Sequence, residues 1–101
     1  MMRRGTTPTH KFKVPIDLTS AEVIYMTYKQ PGGAKVLEKS KEDMEISETE
    51  ILIDLTQADT LALSTIGDVE IQCRARYPDG KAVASQIISV PVKKILKEGI
   101  I

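Results

Sequence analysis

Apolar and polar residues alternate along most of the chain, and a period of two is typical of strands that have one buried face. The first such segment places Phe12, Val14 and Ile16 on one parity and two lysines on the other. Because Pro15 cannot donate a backbone hydrogen bond, this strand is expected at a sheet edge. Residues 22–29 are apolar on both parities and rich in β-branched and aromatic side chains. This composition predicts a strand near the centre of a sheet.

Turn-forming residues divide the rest of the chain into further short strands. The Gln-Pro-Gly-Gly segment at 30–33 predicts a reversal into a third strand over 34–39, since glycine supplies the positive φ of a tight turn. Short strands are expected at 44–46 and 51–55. The clearest alternation covers 69–77, with Val69, Ile71, Cys73, Ala75 and Tyr77 on one face.

The last strand and a short helix complete the predicted elements. Residues 77–81 read as a hairpin loop, and 82–92 as the returning strand. The alternation of apolar and polar residues in this strand is interrupted at the adjacent Ile87 and Ile88, which predicts a β-bulge. Thr56 and Asp59 have the spacing of a helix N-cap and a first-turn acid. One short helical turn is therefore expected near 57–63, with two leucines packed across the end of the core.

About seven short strands with regular turn signals predict an all-β fold, an antiparallel immunoglobulin-like β-sandwich. A chain of 101 residues suits one such domain. We expect an extended N-terminal arm over 1–9, a single sandwich domain over 10–95 and a C-terminal tail over 96–101.

Composition narrows the function classes. Fourteen Lys and Arg balance fourteen Asp and Glu, so no net field favours nucleic acid or an anionic membrane. One cysteine and one histidine exclude a disulfide framework and a cysteine- or histidine-rich metal site within one chain. No secretory signal and no apolar stretch of membrane-spanning length is present, which predicts folding in the cytosol. We expect no cofactor.

Individual side chains that could carry chemistry have simpler interpretations. His10 begins an edge strand without a second histidine, and Cys73 lies on the apolar parity of its strand, where a thiol is usually inert. Gly32 and Gly33 lack the spacing of a phosphate-binding loop and precede a strand, so a hairpin turn is favoured. An enzyme would have to be built from carboxylates alone.

Charge is unevenly distributed along the chain. Residues 42–59 hold seven carboxylates, which indicate a solvated acidic face because their spacing is not that of a calcium-binding loop. Basic residues gather in the C-terminal third: Arg74, Arg76, Lys81, Lys93, Lys94 and Lys97. One hypothesis is that acidic and basic regions on different surfaces let copies of the chain associate head to tail.

Several motifs extend over nearly the whole chain and carry a family resemblance. They are Arg4-Gly5-Thr6-Thr7-Pro8-Thr9, Asp17-Leu18-Thr19-Ser20-Ala21-Glu22, Leu55-Thr56-Gln57-Ala58-Asp59-Thr60-Leu61, Val69-Glu70-Ile71-Gln72-Cys73-Arg74 and Asp79-Gly80-Lys81-Ala82. This pattern resembles small proteins of Firmicutes prophages and tailed phages. It is distantly similar to the N-terminal immunoglobulin-like domain of phage baseplate upper proteins.

The resemblance implies a non-enzymatic structural or assembly protein of a virion, associated with the tail or baseplate. Its partners would be other virion proteins, while association with a second copy is the hypothesis that the charge distribution supports. It would lie in the host cytoplasm during assembly and then in the virion. It brings no catalytic, cofactor or metal-binding residues.

The residues expected to bind a partner lie at the two ends of the chain: Arg3, Arg4, Thr6, Thr7, Thr9, Ile100 and Ile101. The arm has extended-favouring residues that could add to a neighbour's sheet, and terminal isoleucines are unfavourable in water. The alternative function is a carbohydrate-binding or host-adhesion module, which requires an exposed tyrosine beside a groove.

Overall fold

β-Strands, most of them paired antiparallel, form most of the regular secondary structure in the computed structural model, which describes residues 2–31 and 35–101. The strands are β1 (Met2–Arg3), β2 (Thr9–Lys13), β3 (Val23–Lys29), β4 (Lys35–Ser40), β5 (Met44–Ile46), β6 (Glu50–Asp54), β7 (Val69–Arg76), β8 (Ala82–Ala84), β9 (Ile88–Val90) and β10 (Val92–Lys93). A 3-10 turn (Lys41–Asp43) precedes β5, and helix α1 (Gln57–Leu61) follows β6. The all-β prediction is confirmed.

Two sheets form the body of the molecule. The first has the order β2-β6-β5, and the second has the order β4-β3-β7, with both β8 and β9 paired to β7. An immunoglobulin sandwich has strands B, E and D in one sheet and C′, C, F and G in the other. With β2 as B, β3 as C, β4 as C′, β5 as D, β6 as E and β7 as F, the two sheets have that order. The G strand then consists of β8, β9 and β10. The short β1 pairs in parallel with β10, at the end of the G strand.

The inward faces of the two sheets form one apolar core. From the first sheet come Ile51 and Ile53, and from the second come Ile24, Met26, Tyr28, Val69, Ile71, Cys73 and Ala75. On β7, every second residue is buried, as its alternation predicts. The central strands of both sheets therefore supply most of the buried side chains.

Some predicted boundaries change in the structure. The first strand ends at Lys13 rather than continuing past Pro15, and Ile16 is exposed. Its position at a sheet edge is confirmed. Residues 32–34, which hold the glycines of the predicted turn and the start of the third strand, lie outside the described residues.

The predicted bulge in the last strand is confirmed, and it divides that strand into β8 and β9. Ala84 pairs with Arg74, whereas Ile88 pairs with Ile71, so one extra residue lies on the bulged side. The regular pairing with β7 ends at Ser85. The Ser85 N–H donates to the Cys73 carbonyl at 2.9 Å, and the Ser85 Oγ accepts from the Cys73 N–H at 3.0 Å. The strand leaves the regular ladder at this residue because a hydroxyl replaces a backbone acceptor.

Helix α1 begins as its sequence predicts. The Thr56 hydroxyl accepts from the Asp59 N–H at 3.1 Å, and the Asp59 carboxylate accepts from the Thr56 N–H at 2.9 Å, which completes a capping box. Burial alone would raise the pKa of Asp59, but hydrogen bonds from Lys39 and Thr56 outweigh it and lower that pKa. Within the described residues, no helix is long and apolar enough to cross a membrane.

A polar contact joins the two sheets inside the sandwich. His10 Nδ1 on β2 lies 2.9 Å from the Tyr28 hydroxyl on β3, and the two rings stack with centroids 5.9 Å apart. Burial lowers the pKa of His10 and raises that of Tyr28. Both groups therefore remain neutral at pH 7.

We expect His10 to make stability depend on pH in the range where histidine titrates. Its pKa lies below about 6.5 in the folded chain, so the unfolded chain binds the proton first as pH falls. The stability that neutral His10 contributes is complete above about pH 6.5 and is lost as pH falls through its folded pKa. Thermal unfolding at about pH 7.5 and 5.5 should show a larger loss for the native chain than for His10→Gln. Equal losses would contradict this prediction.

Candidate protein-binding site

One side of the sandwich is open between β2, at the edge of the first sheet, and β8–β9, at the edge of the second. A cleft of about 450 Å³ lies between these strands, within the range of ligand-binding sites. It is lined by Phe12, Lys13, Val14, Pro15, Met26, Ile71, Cys73, Ala84, Ser85, Gln86 and Ile88. This cleft and the two strand edges beside it form the open seam.

The open seam continues along β9 as a second, shallower recess. This recess shares Phe12, Ile71 and Ile88 with the cleft and ends at Met2. Met2 is buried, and β1 pairs with β10 there. A strand already closes this end, whereas the recess beyond it is lined by Ile71 of the core, by Phe12, which packs against the core, and by Ile88, which is 43% exposed.

The edge of β2 that borders the open seam has unpaired backbone groups. Leu55 N–H donates to the Pro8 carbonyl and Val14 N–H donates to the Thr49 carbonyl, both at 2.9 Å. The even-numbered residues of β2 therefore bond to β6, because antiparallel ladders use alternate residues. The N–H and C=O groups of Thr9, Lys11 and Lys13 point the other way, where no strand of the described ranges pairs with β2.

The N-terminal residues predicted to bind a partner contact their own chain instead of extending from it. Met2 and Arg3 form β1, and Arg3 Nη1 donates to the Lys94 carbonyl at 2.7 Å. The Arg4 guanidinium donates to the Leu61 and Leu63 carbonyls at 2.9 and 2.7 Å, at the end of α1, and forms an ion pair with Glu98. The described part of the predicted arm is thus held against β10 and α1.

The predicted threonines fall in two places. Thr6 accepts a hydrogen bond at its carbonyl from the Thr60 hydroxyl at 2.8 Å, near α1, and Thr7 is exposed. Thr9 belongs to β2, where its hydroxyl donates to Asp54 Oδ1 at 2.5 Å. Only Thr9 lies on the open seam.

The C-terminal tail also lies against the α1 end of the sandwich. The Gln57 side chain forms two hydrogen bonds with the backbone of Ile101, at 2.9 and 3.1 Å. Ile95 packs over Gly5, so closely that a Cβ at position 5 would lie 2.6 Å from Ile95 Cδ1. The φ of 72° at Gly5 is also one that glycine adopts more readily than other residues. Ile100 and Ile101 are 67% and 88% exposed. The roles of both chain ends in partner binding stay predictions.

The other residues singled out in the sequence have structural surroundings. Cys73 is buried in the floor of the open seam, and burial raises the pKa of its thiol. In residues 2–31 and 35–101, no three His, Cys, Asp or Glu side chains are grouped as ligands for one metal ion.

Tyr25 lies on the outer face of the second sheet. It is 43% exposed and borders a shallow depression of about 260 Å³. Polar neighbours in the depression are Thr27, Glu38, Arg74 and Arg76. An aromatic ring next to hydrogen-bonding side chains is a surface on which a sugar can stack.

No protein-family model matches the chain, and no curated protein is similar to it in sequence.

Sequence reasoning missed Lys11 and Lys13 as site residues. They alternate with Phe12 on a strand that Pro15 marks as an edge, and lysine on an edge strand is a known protection against unwanted pairing. The combination of edge-strand lysines and a proline could therefore have indicated the residues of β2 as a site. For the β8–β9 side of the open seam, the predicted bulge was the one sequence feature that could have indicated a site.

We expect hydrogen exchange to alternate along β2. The amides of Lys11 and Lys13 face the open seam and should exchange rapidly in the isolated chain, whereas those of His10 and Phe12 bond to β6 and should be protected. Exchange followed residue by residue by NMR tests this, and the even-numbered amides are the internal control. Equal protection of all four amides would contradict an unpaired edge.

Proposed function

We infer that this chain is a non-enzymatic structural or assembly protein of a phage or prophage virion, associated with the tail or baseplate. It acts through protein–protein contacts, in the host cytoplasm during assembly and then in the virion. The observation that carries the binding role is the open seam. The virion setting rests on the sequence resemblance.

The open seam suits an extended segment of another protein. Unpaired backbone groups on β2 provide hydrogen bonds to any strand, and an apolar floor selects strands whose alternate side chains are apolar. Phe12, Ile71 and Ile88 form that floor. Met2 on β1 occupies the end of the same groove and illustrates how an inserted side chain is buried there.

The test is to co-express the chain with the structural proteins encoded beside it in its genome and to purify the complexes. Lys11→Pro removes an outward N–H that β6 does not use, so it should abolish co-purification while the chain stays folded. Lys11→Ala keeps that N–H and should retain most of the binding. Thr65→Pro, at an exposed loop residue outside β2 and outside both chain ends, is the control and should bind as the native chain does.

Two outcomes would contradict this function. One is that no virion protein co-purifies with the native chain. The other is that Lys11→Pro binds its partner as tightly as Thr65→Pro does, since strand addition on β2 needs the removed donor.

Tyr25 supports a second candidate function, a carbohydrate-binding or host-adhesion module. Its exposed ring and the neighbouring Glu38 and Arg74 side chains provide stacking and polar contacts. If this function is correct, the native chain binds a subset of a glycan array and Tyr25→Ala loses that binding. Tyr77→Phe is the control, because the Tyr77 ring packs against the core rather than on the outer face and the substitution removes only the hydroxyl that donates to the Asp17 carbonyl. Binding unchanged in Tyr25→Ala would exclude this surface.

A further inference from the structure

Charge changes sign across the outer face of the first sheet. Strand pairing places Lys11, Leu52 and Glu45 side by side in one row. The next row holds Lys13, Glu50 and Ser47, in which Ser47 N–H donates to the Glu50 carbonyl at 2.9 Å. Cations therefore lie at the β2 edge and a carboxylate lies at the β5 edge of the same sheet.

The β5 edge also has free backbone groups. Because the Ser47 N–H donates to the Glu50 carbonyl, the backbone N–H and C=O groups of the odd-numbered residues in this segment point towards β6. The C=O of Met44 and both backbone groups of Ile46 face outward, where no strand in the described part of the chain pairs with β5. The Met44 N–H is already used, because it donates to the Lys41 carbonyl of the 3-10 turn.

We propose that the β5 edge of one copy pairs with the β2 edge of a second copy, so that the first sheets of successive copies join head to tail. This interaction rests on the proposed function, because it names a second copy as one occupant of the β2 edge. β2 and β5 are each antiparallel to β6, so they run in the same direction. A copy displaced across the sheet without rotation therefore meets its neighbour in a parallel ladder.

The rows match without a shift of register. Ile46 and Phe12 lie in one row through Ile51, so the next copy's Phe12 would stand opposite Ile46. Ile46 N–H would donate to the next copy's Lys11 carbonyl, and Ile46 C=O would accept from that copy's Lys13 N–H. Met44 C=O would accept from the Lys11 N–H.

The same register pairs opposite charges. Glu45 would stand opposite the next copy's Lys11 on the outer face, and such cross-strand pairs are favourable whereas like charges are not. A β2–β2 contact would instead bring lysines together. Because β5 is three residues long, the ladder is short and the association is expected to be weak, concentration-dependent and sensitive to salt.

Sedimentation equilibrium with charge-reversal variants tests this arrangement. The apparent mass of the native chain should rise with concentration, and Lys11→Glu and Glu45→Lys should each lose that rise because both edges then have the same sign. An equimolar mixture of the two variants should recover it, since each edge again meets its opposite. Lys29→Glu and Glu70→Lys, with the same charge changes on a cross-strand pair of the second sheet, should behave as the native chain does.

Lys11 pairs with Glu50 in its own chain at 2.9 Å, so the thermal unfolding of each variant must be compared with that of its control. Glu45→Lys breaks no ion pair among the described residues and repeats the test independently. A native chain that stays monomeric, a mixture that recovers nothing, or a Glu45→Lys variant that associates normally would overturn head-to-tail pairing. Co-purification of virion proteins with Glu45→Lys would show in that case that the proposed function survives.

Discussion

The contact between the apolar faces of the two sheets is the interaction on which the rest of the structure depends. Ile51 and Ile53 of β6 meet the inward side chains of β3 and β7, and burial of this area is the main favourable term in folding. Tyr28 and His10 add one hydrogen bond between the layers. This contact brings β2 and β9 to the same side of the sandwich, where they border the open seam.

The edges of both sheets show how a small sandwich limits non-specific pairing. Lysines on β2, Pro15 after it, the bulge between β8 and β9, and Pro91 before β10 all interrupt or charge an edge. These features oppose pairing with arbitrary strands but leave groups for a strand of matching charge and register. Selectivity at such an edge therefore comes from side chains, while affinity comes from the backbone.

The sequence predicted features that depend on near neighbours along the chain. The alternation of β7, the capping box at Thr56 and Asp59, and the edge position implied by Pro15 are each determined within a few residues. Long-range pairing could not be predicted this way, because alternation shows that a strand has a buried face but does not identify its partner. The contact of Arg4 with the end of α1 and the row from Lys11 to Glu45 exist only after folding.

The parallel pairing of β1 with β10 has a practical consequence for work with this protein. Met2 stands opposite Val92 and Arg3 opposite Lys93, so β1 runs in the direction of the G strand, and Met2 is buried at the end of the groove. An affinity tag or fusion partner joined ahead of β1 would therefore be attached close to the groove in which we propose that a partner binds. A carboxy-terminal tag would leave at the opposite chain end, beside Gln57.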